Sequence, residues 1–204
     1  MLYEEEKVGK DAGAEPDQVT AKQRSVKKSG GMKNSLLLLR DVLIAVAVLI
    51  VILQFYKPTI VFEHSMEDTL HPEDYVFLAK KAYVFGEVEY GDIVVFESKL
   101  MDERLRPKSL IKRVVGLPGD IIEIKNENVY RNGERLDEPY TKDGVTPGDL
   151  GPVTVPEETL FVLGDNRIVS MDSRVSSVGF VSFDTVSGKV IFRLFPLSKA
   201  GVIR

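Results

Sequence analysis

Apolar and polar positions divide the chain into three stretches with different patterns. Residues 1–34 are polar and have no apolar period, which predicts a mostly disordered tail. From Val42 to Leu53 every residue is apolar. With the apolar residues that flank it, this run predicts a transmembrane helix over residues 35–56, long enough to cross a bilayer core of ~30 Å. From residue 57 onward the pattern changes to short apolar runs.

Residues 57–204 have the pattern of antiparallel β-structure. The stretch Val129–Leu136 has an Asn132-Gly133 pair at its centre, which is a hairpin signal. Other runs rich in β-branched and aromatic residues, bounded by turn formers, are Tyr75–Ala79, Ile93–Phe96, Leu110–Val115, Ile121–Ile124 and Leu160–Leu163, with closing strands at Val178–Val181 and Lys189–Leu194 joined through Ser187-Gly188. The predicted fold is mainly β: a single antiparallel, partly barrel-like β domain preceded by one N-terminal transmembrane helix.

Charge around the apolar run indicates its orientation. The positive-inside rule places the basic side of a span in the cytoplasm, so we expect a single-pass protein of the cell membrane with residues 57–204 outside. Asp41, inside the span, is the least favourable residue for this interpretation. The basic residues that precede the run, with no acid among them, are Lys22, Arg24, Lys27, Lys28 and Lys33.

Two other interpretations of the apolar run remain. A cleaved signal peptide has the same basic and apolar regions, but no small-x-small cleavage site follows the run here. A buried helix of a globular protein is the second alternative. The Phe55-Tyr56 pair, suited to a membrane interface, and the helix-ending Pro58 favour an uncleaved anchor.

Composition excludes several classes of protein. The hydrophobic content of 44% over 204 residues is enough for one packed domain. A net charge of −4, without helix-turn-helix or zinc-ligand spacing, gives no basis for nucleic-acid binding. The absence of cysteine excludes a disulfide framework and fits an extracytoplasmic protein, although a cytosolic protein can also lack cysteine. We expect no nucleic-acid partner, no cofactor and no metal.

Ser65, a few residues after the apolar run, is the candidate nucleophile. A serine hydroxyl needs a nearby base and a donor for the oxyanion that forms on attack. The chain has only two histidines, His64 and His71. His64 adjoins Ser65, so on an extended backbone its side chain points to the opposite face, while His71 stays open as an alternative. A Ser-Met pair is common in loops, so the assignment depends on other stretches.

Lys112 is the candidate base. In a strand over residues 110–115 it lies on the same face as Leu110 and Val114. A strand lysine more often packs only its stem and extends its ammonium to water. Burial of the whole side chain would instead lower its pKa from ~10.4, and a fall of two to three pH units destabilises the charged form by roughly 3 to 4 kcal/mol. Such a neutral amine can act as a general base.

A polar loop, Gly164–Arg174, follows the strand Leu160–Leu163. Its density of Asp, Asn, Ser and Arg exceeds what strand capping needs, although a capping loop is the plainer interpretation. Ser170 is able to orient an amine by hydrogen bonding. Asp172 and Arg174 are able to pair and hold the loop.

These stretches resemble the sequence boxes of the type I signal peptidases. The similar segments are Ser65-Met66, Lys112–Asp120 and Gly164–Arg174, in matching order and spacing, and the resemblance continues to Gly188–Val190 and Phe192-Arg193. The small region between the second and third boxes is similar to the shorter, Gram-positive type of enzyme, which has one anchor and no large inserted domain.

The resemblance implies a membrane-anchored serine endopeptidase with a Ser-Lys dyad. In it, Ser65 would be the nucleophile, neutral Lys112 the general base, Ser170 the residue that orients the lysine, and the Ser65 backbone N–H an oxyanion donor. The substrates would be secretory preproteins, cut after a small-x-small motif whose side chains enter pockets lined by Val61 and Ile111. Membrane lipid would be the other partner.

Two positions depart from the family's pattern. Asp68 stands where the nucleophile box usually has proline. Glu63 stands two residues before the nucleophile, where members often carry a small residue and some use its hydroxyl in the oxyanion hole. A carboxylate directed at a developing oxyanion would oppose catalysis, so we expect Glu63 to point away.

Two alternative functions remain at this stage. A self-cleaving regulator of the SOS-repressor type shares Ser-Lys chemistry, but it needs a DNA-binding domain and a cleavage linker that residues 1–56 lack. A non-catalytic, membrane-anchored β-domain that binds an extracellular partner would have the same fold pattern. In that case Ser65→Ala and Lys112→Ala variants would still bind the partner, and no preprotein would be cleaved.

Overall fold

A computed structural model describes residues 29–203 of the chain. Its backbone divides into two compact units with the boundary between Val48 and Leu49, and helix α1, Ser29–Phe55, contributes residues to both. Most of the predicted tail, residues 1–34, lies outside the described residues. Helix α1 starts before the predicted span of 35–56, and it ends one residue earlier than predicted.

Helix α1 has the length and composition of a membrane span. Its segment Asn34–Phe55 has a mean hydropathy of 2.9, and its side chains are exposed. Arg40 and Asp41, the charged pair within this segment, bond to each other, with Arg40 Nη2 donating to Asp41 Oδ1 at 2.8 Å. This pairing offsets the charge of Asp41, which is otherwise unfavourable in a span.

The second unit consists mainly of β-strands. They are β1 Tyr56–Ile60, β2 Tyr75–Ala79, β3 Ile93–Met101, β4 Pro107–Gly116, β5 Ile121–Lys125, β6 Asn128–Arg131, β7 Glu134–Arg135, β8 Leu150–Thr154, β9 Thr159–Leu163, β10 Val181–Ser182, β11 Val186–Phe195 and β12 Gly201–Val202. A one-turn helix, α2 (Ala82–Phe85), and two 3-10 turns, Phe183–Thr185 and Leu197–Lys199, are the other described elements of this unit after residue 55.

The strands of the described residues form two antiparallel sheets. The larger has the order β1-β2-β11-β3-β4-β9-β10, with β12 paired to β11, and the smaller has the order β7-β6-β5-β8. The smaller sheet is built from the chain between β4 and β9. The larger sheet is open, with β1 and β10 at its edges. The predicted mainly β, antiparallel fold after one N-terminal helix is thereby confirmed.

The end of the chain differs from the predicted strand pattern. The structure has β10 at Val181–Ser182 rather than Val178–Val181, and β11 passes through Gly188 instead of starting after it. Gly188 has φ +149°, and a Cβ there would lie 2.4 Å from the Ala79 carbonyl oxygen. A glycine at this bulge lets β11 continue where the sequence suggested a junction.

Buried apolar clusters cover both faces of the larger sheet. On one face Val94 and Phe96 of β3 pack with Leu110 and Val114 of β4. On the other, Ile93 and Val95 pack with residues that include Val61, Met66, Leu70 and Val76. β3 and β4 are antiparallel neighbours, with Val94 opposite Lys112. The side chain of Lys112 therefore lies inside the protein.

Candidate active site

Ser65 lies in a turn held from two sides. Met66 and Leu70 are buried in the core, and the Leu70 N–H donates to the Met66 carbonyl at 2.7 Å. Asn166 binds the other side: its backbone N–H donates to the Ser65 carbonyl at 3.1 Å, and its side-chain Nδ2 donates to the His64 carbonyl at 3.2 Å. The turn is therefore fixed both to the core and to the loop 164–174.

The structure brings Lys112 and Ser65 together. Lys112 Nζ lies 2.7 Å from Ser65 Oγ, and it donates to the Ile111 carbonyl at 3.0 Å. The lysine has no exposed surface. Burial lowers the pKa of Lys112 to about 8, because the ammonium loses its hydration; the nearby carboxylates, that of Glu63 first, act in the opposite direction. This geometry and this pKa suit a general base.

The histidines are arranged differently. The His64 side chain is exposed, with Nδ1 2.7 Å from Glu67 Oε1. The buried Nδ1 of His71 has no hydrogen-bond partner among residues 29–203. Within this part of the chain, neither imidazole bonds to Ser65, so the structure offers no Ser-His pair.

Ser170 lies near Ser65 without bonding to Lys112. A Cβ added to Gly164 would lie 2.2 Å from Ser170 Oγ and 2.5 Å from the Ser65 carbonyl oxygen, so these two atoms are neighbours across a position that only glycine fits. Ser170 Oγ is buried and makes no hydrogen bond with any described residue. The orienting role that the resemblance implies for Ser170 therefore stays a prediction.

Asp172 and Arg174 form an ion pair that ties the loop together. Arg174 Nε donates to Asp172 Oδ1 at 2.8 Å, and the other carboxylate oxygen accepts the Gly164 N–H at 3.1 Å. Arg174 Nη2 also reaches the Arg167 carbonyl at 2.7 Å. The pair therefore links the start, middle and end of the loop. Both residues are placed to support the conformation of the loop.

A buried ion pair to which sequence analysis assigned no role joins the three boxes. Arg113 Nε and Nη2 donate to the two carboxylate oxygens of Asp165 at 2.9 and 2.8 Å, and Thr69 Oγ1 donates to Asp165 Oδ2 at 2.5 Å. The side chains of Arg113 and Asp165 are 3% and 0% exposed. Thr69 follows the nucleophile Ser65 in the same turn region, Arg113 lies on β4 and Asp165 in loop 164–174, but their pairing depends on the strand register and is not visible in the sequence.

A second buried arginine links loop 164–174 to the connection between β7 and β8. Arg167 Nη2 donates to Glu138 Oε1 at 2.6 Å, and Nη1 bonds to Thr146. Its Nε donates to the Gly164 carbonyl at 2.9 Å. Sequence analysis assigned no role to this residue either, since Glu138 lies in a loop with no recognisable motif.

Two cavities meet at Ser65. One, of about 610 Å³, is lined by Val61 and Ile111, the predicted substrate-binding residues, as well as by Ser65. The other, of about 300 Å³, is lined by Ser65 with apolar side chains that include Leu110 and Met171. The arrangement gives an extended cleft with apolar walls on both sides of the hydroxyl.

The two residues that depart from the family's pattern both lie near Ser65. Glu63 lines both cavities, and its carboxylate is ion-paired with Lys108. Asp68 is exposed. The Glu63 carboxylate is thus directed to the Lys108 ammonium, which lies at the same cleft.

Comparisons of the sequence and of the structure with known proteins all find signal peptidases. The chain matches the family described as signal peptidase, peptidase S26, over residues 35–195. It is 38% identical over 183 residues to signal peptidase I of Bacillus licheniformis, covering 84% of this chain and 95% of that one. It is 36% identical over 171 residues to signal peptidase I S of Bacillus subtilis (strain 168), covering 78% and 89%. A solved structure of a signal peptidase I from Enterococcus faecalis V583 is 33% identical, with a TM-score of 0.42, over 51% of this chain and 97% of that one.

The family match extends from helix α1 to the end of β11 and includes all three boxes. The Bacillus relatives match over nearly their whole length. On this evidence the chain belongs to the signal peptidase family, peptidase S26, and is a serine endopeptidase.

Proposed function

We propose that this protein removes signal peptides from secretory preproteins, with Ser65 as nucleophile and Lys112 as general base. The observation that carries the proposal is the 2.7 Å separation of Lys112 Nζ and Ser65 Oγ in the protein interior. With a pKa of about 8, Lys112 is neutral in roughly a tenth of molecules at pH 7 and in half of them at pH 8. A neutral amine at this distance can accept the hydroxyl proton.

Acylation follows from this geometry. As Ser65 Oγ attacks the carbonyl carbon of the scissile peptide, its proton passes to Lys112 Nζ. The oxyanion of the tetrahedral intermediate is stabilised by donors that include the Ser65 backbone N–H. Lys112, now an ammonium, gives its proton to the leaving amine as the C–N bond breaks. The mature protein departs and the signal peptide remains as an ester on Ser65.

Deacylation uses the same two side chains. Lys112, neutral again, takes a proton from a water molecule that attacks the ester carbonyl. The second tetrahedral intermediate collapses, Ser65 Oγ takes the proton back, and the signal peptide leaves as a carboxylic acid. Asp172 and Arg174 support this sequence by holding loop 164–174, and Ser170 is assigned to orient the Lys112 amine.

Substrate preference is assigned to the cleft beside Ser65. Val61 and Ile111 lie on its wall, and we assign this wall to the substrate side chains on the acyl side of the scissile bond. This supports cleavage after a small-x-small motif. A preprotein whose small residues are replaced by leucine or phenylalanine should lose cleavage because such side chains would clash with this wall.

Location is assigned from helix α1 and its flanking charge. We assign the helix as a single membrane anchor, with the basic residues before it in the cytoplasm and residues 57–204 outside. Translocated preproteins, held in the same membrane by their signal peptides, would then meet the catalytic unit on its own side.

The decisive experiment is a cleavage assay on the full chain in detergent. Wild type should cut a preprotein after its small-x-small motif, while Ser65→Ala and Lys112→Ala should lower the rate by ~10³-fold or more. Lys112→Arg should also be inactive, because a guanidinium stays protonated and cannot accept a proton. The Lys125→Arg substitution, made on the exposed surface of β5, is the matched control and should keep full activity.

The pH dependence gives a second arm of the same assay. The value of kcat/KM should fall about tenfold per pH unit below about pH 8 as Lys112 becomes protonated. Robust cleavage by Lys112→Arg would refute the general-base assignment. A wild-type protein that binds the preprotein without cutting it at any pH would instead favour a non-catalytic binding domain.

A further inference from the structure

An ion pair at the cleft is not used by the mechanism above. Glu63 and Lys108 bond to each other, and both line the two cavities that contain Ser65. Their side chains are partly exposed, Glu63 by 37% and Lys108 by 44%. Glu63 stands two residues before Ser65 on the nucleophile segment, and Lys108 stands four residues before Lys112 on β4. The pair therefore spans the two elements that carry the proposed dyad.

Among the residues that the structure describes, three carboxylates and one ammonium act on the charge of Lys112. Glu63, Asp172 and Asp165 favour its protonated form, and Lys108 disfavours it. The carboxylates of Asp172 and Asp165 are each bound by an arginine in the interior. Glu63 has only the partly exposed Lys108 as its ionic partner within the described chain.

An uncompensated carboxylate beside Lys112 would work against the proposed base. It would stabilise the ammonium form and leave fewer molecules with a neutral amine at a given pH. Lys108 opposes this in two ways: it adds a positive charge near Lys112, and it draws the Glu63 carboxylate toward itself. Glu63 can thus occupy a position next to the nucleophile at which a lone acid would be harmful.

Resting on the function proposed above, we propose that Lys108 is a positioning residue that holds and compensates Glu63 at the cleft, and so sets the pH range in which Lys112 acts as a base. The chemistry of cleavage is unchanged by the pair. Its effect is on the acidic limb of the rate profile, through the balance of two opposite charges near one amine.

Opposite shifts from the two single variants are the signature of this role. Lys108→Gln leaves Glu63 uncompensated, so the midpoint of the acidic limb of kcat/KM should move to higher pH by roughly half a unit or more. Glu63→Gln removes the carboxylate, so the midpoint should move to lower pH by a similar amount. A merely structural pair would change the height of the profile and leave its midpoint in place.

Two further variants complete the test. The double variant Glu63→Gln with Lys108→Gln should have a midpoint between those of the two single variants, because both charges are gone. Lys108→Arg keeps the positive charge and should keep the wild-type midpoint. The exposed pair Lys125 and Glu123 of β5 lies outside both cavities, so Lys125→Gln is the matched control and should leave the midpoint unmoved.

The outcomes separate this inference from the function on which it rests. If both single variants shift the limb in the same direction, or neither shifts it by more than ~0.2 pH unit, while Ser65→Ala and Lys112→Ala are inactive, the inference is wrong and the peptidase mechanism stands. If Ser65→Ala still cleaves the preprotein, the mechanism itself fails and the inference fails with it.

Discussion

The burial that suits Lys112 to act as a base also opposes folding. Its pKa falls from 10.5 to about 8 in the folded protein, which corresponds to about 3 kcal/mol. That cost is fully present below pH 8, where the lysine is protonated in both states. Between pH 8 and 10.5 the unfolded chain binds more protons than the folded one, so the free energy of unfolding rises with pH. Above this window the cost is gone.

Replacing Lys112 with methionine should therefore stabilise the protein while abolishing cleavage. Methionine keeps the unbranched apolar stem but carries no charge, so at pH 7 the free energy of unfolding should rise by up to about 3 kcal/mol, offset in part by the lost hydrogen bonds to Ser65 and Ile111. Denaturant unfolding of the detergent-solubilised chain measures it. The advantage over wild type should shrink as pH rises through 8 to 10.5; an equal difference at all pH values would contradict the burial argument.

Among the elements, the contact between β4 and loop 164–174 depends on one buried ion pair. Arg113 and Asp165 bond through two parallel hydrogen bonds with almost no exposure, and the Tyr140 ring lies over the guanidinium, its centroid 4.1 Å from Cζ. Removing one partner from such a pair leaves the other charge buried without compensation. The geometry of loop 164–174, and with it the support of the Ser65 turn, should therefore respond to either residue.

Asp165→Asn should accordingly cost about 3 to 5 kcal/mol of unfolding free energy. Cleavage should fall even at temperatures where the variant stays folded, because Asn166, next in the chain, holds the Ser65 turn. The double variant Arg113→Met with Asp165→Leu should recover a large part of the stability, since neither charge remains. Glu123→Gln, at an exposed pair, is the control and should cost less than about 1 kcal/mol. A similar small loss in Asp165→Asn would mean that water reaches Arg113.

The bounds of individual strands were predictable only where residues that end a strand flank it in the sequence. Strand β2, Tyr75–Ala79, has the predicted bounds because Pro72 and Asp74 precede it and two charged residues, Lys80 and Lys81, end its apolar run. Strand β1, Tyr56–Ile60, was not predicted because Lys57 and Pro58 look like the end of a helix; as an edge strand of its sheet it can include a proline. Strand β11 was predicted to start only after Gly188 because Ser187-Gly188 resembles a turn, and only the close approach of Gly188 to Ala79 in β2 shows that this position is a bulge within the strand.

The candidate site was predictable where residue types are few. With two histidines and no cysteine few bases are available, and the resemblance to the type I signal peptidases implied Lys112 as the partner of Ser65. The structure brings the two within 2.7 Å. The ion pairs around them were not predictable from spacing. Arg113 and Asp165 are far apart in sequence, and Glu63 meets Lys108 only because the nucleophile segment packs over the start of β4. Such contacts depend on register, which a single sequence does not state.

At the scale of the whole molecule, the asymmetry of charge about helix α1 should determine its orientation. On the N-terminal side five cations lie between Lys22 and Lys33, whereas Lys57 is the single cation in the first fifteen residues after Phe55. The positive-inside rule counts Lys and Arg over about this distance. The orientation it predicts is also the one that the proposed function requires, because signal peptides are removed on the side to which the preprotein has been translocated.

Protease added to the outside of intact bacterial spheroplasts expressing the full chain should therefore digest residues 57–204 and leave a tag at the N terminus protected, while inverted vesicles should give the reverse. Replacing the five cations between Lys22 and Lys33 with glutamine removes the bias, so a measurable fraction of the chains should insert with the tag outside. Those chains would hold Ser65 on the cytoplasmic side, and preprotein cleavage in the cells should fall in proportion to their share, with activity in detergent unchanged. Full cleavage by chains whose catalytic unit is cytoplasmic would contradict both the orientation and its link to function.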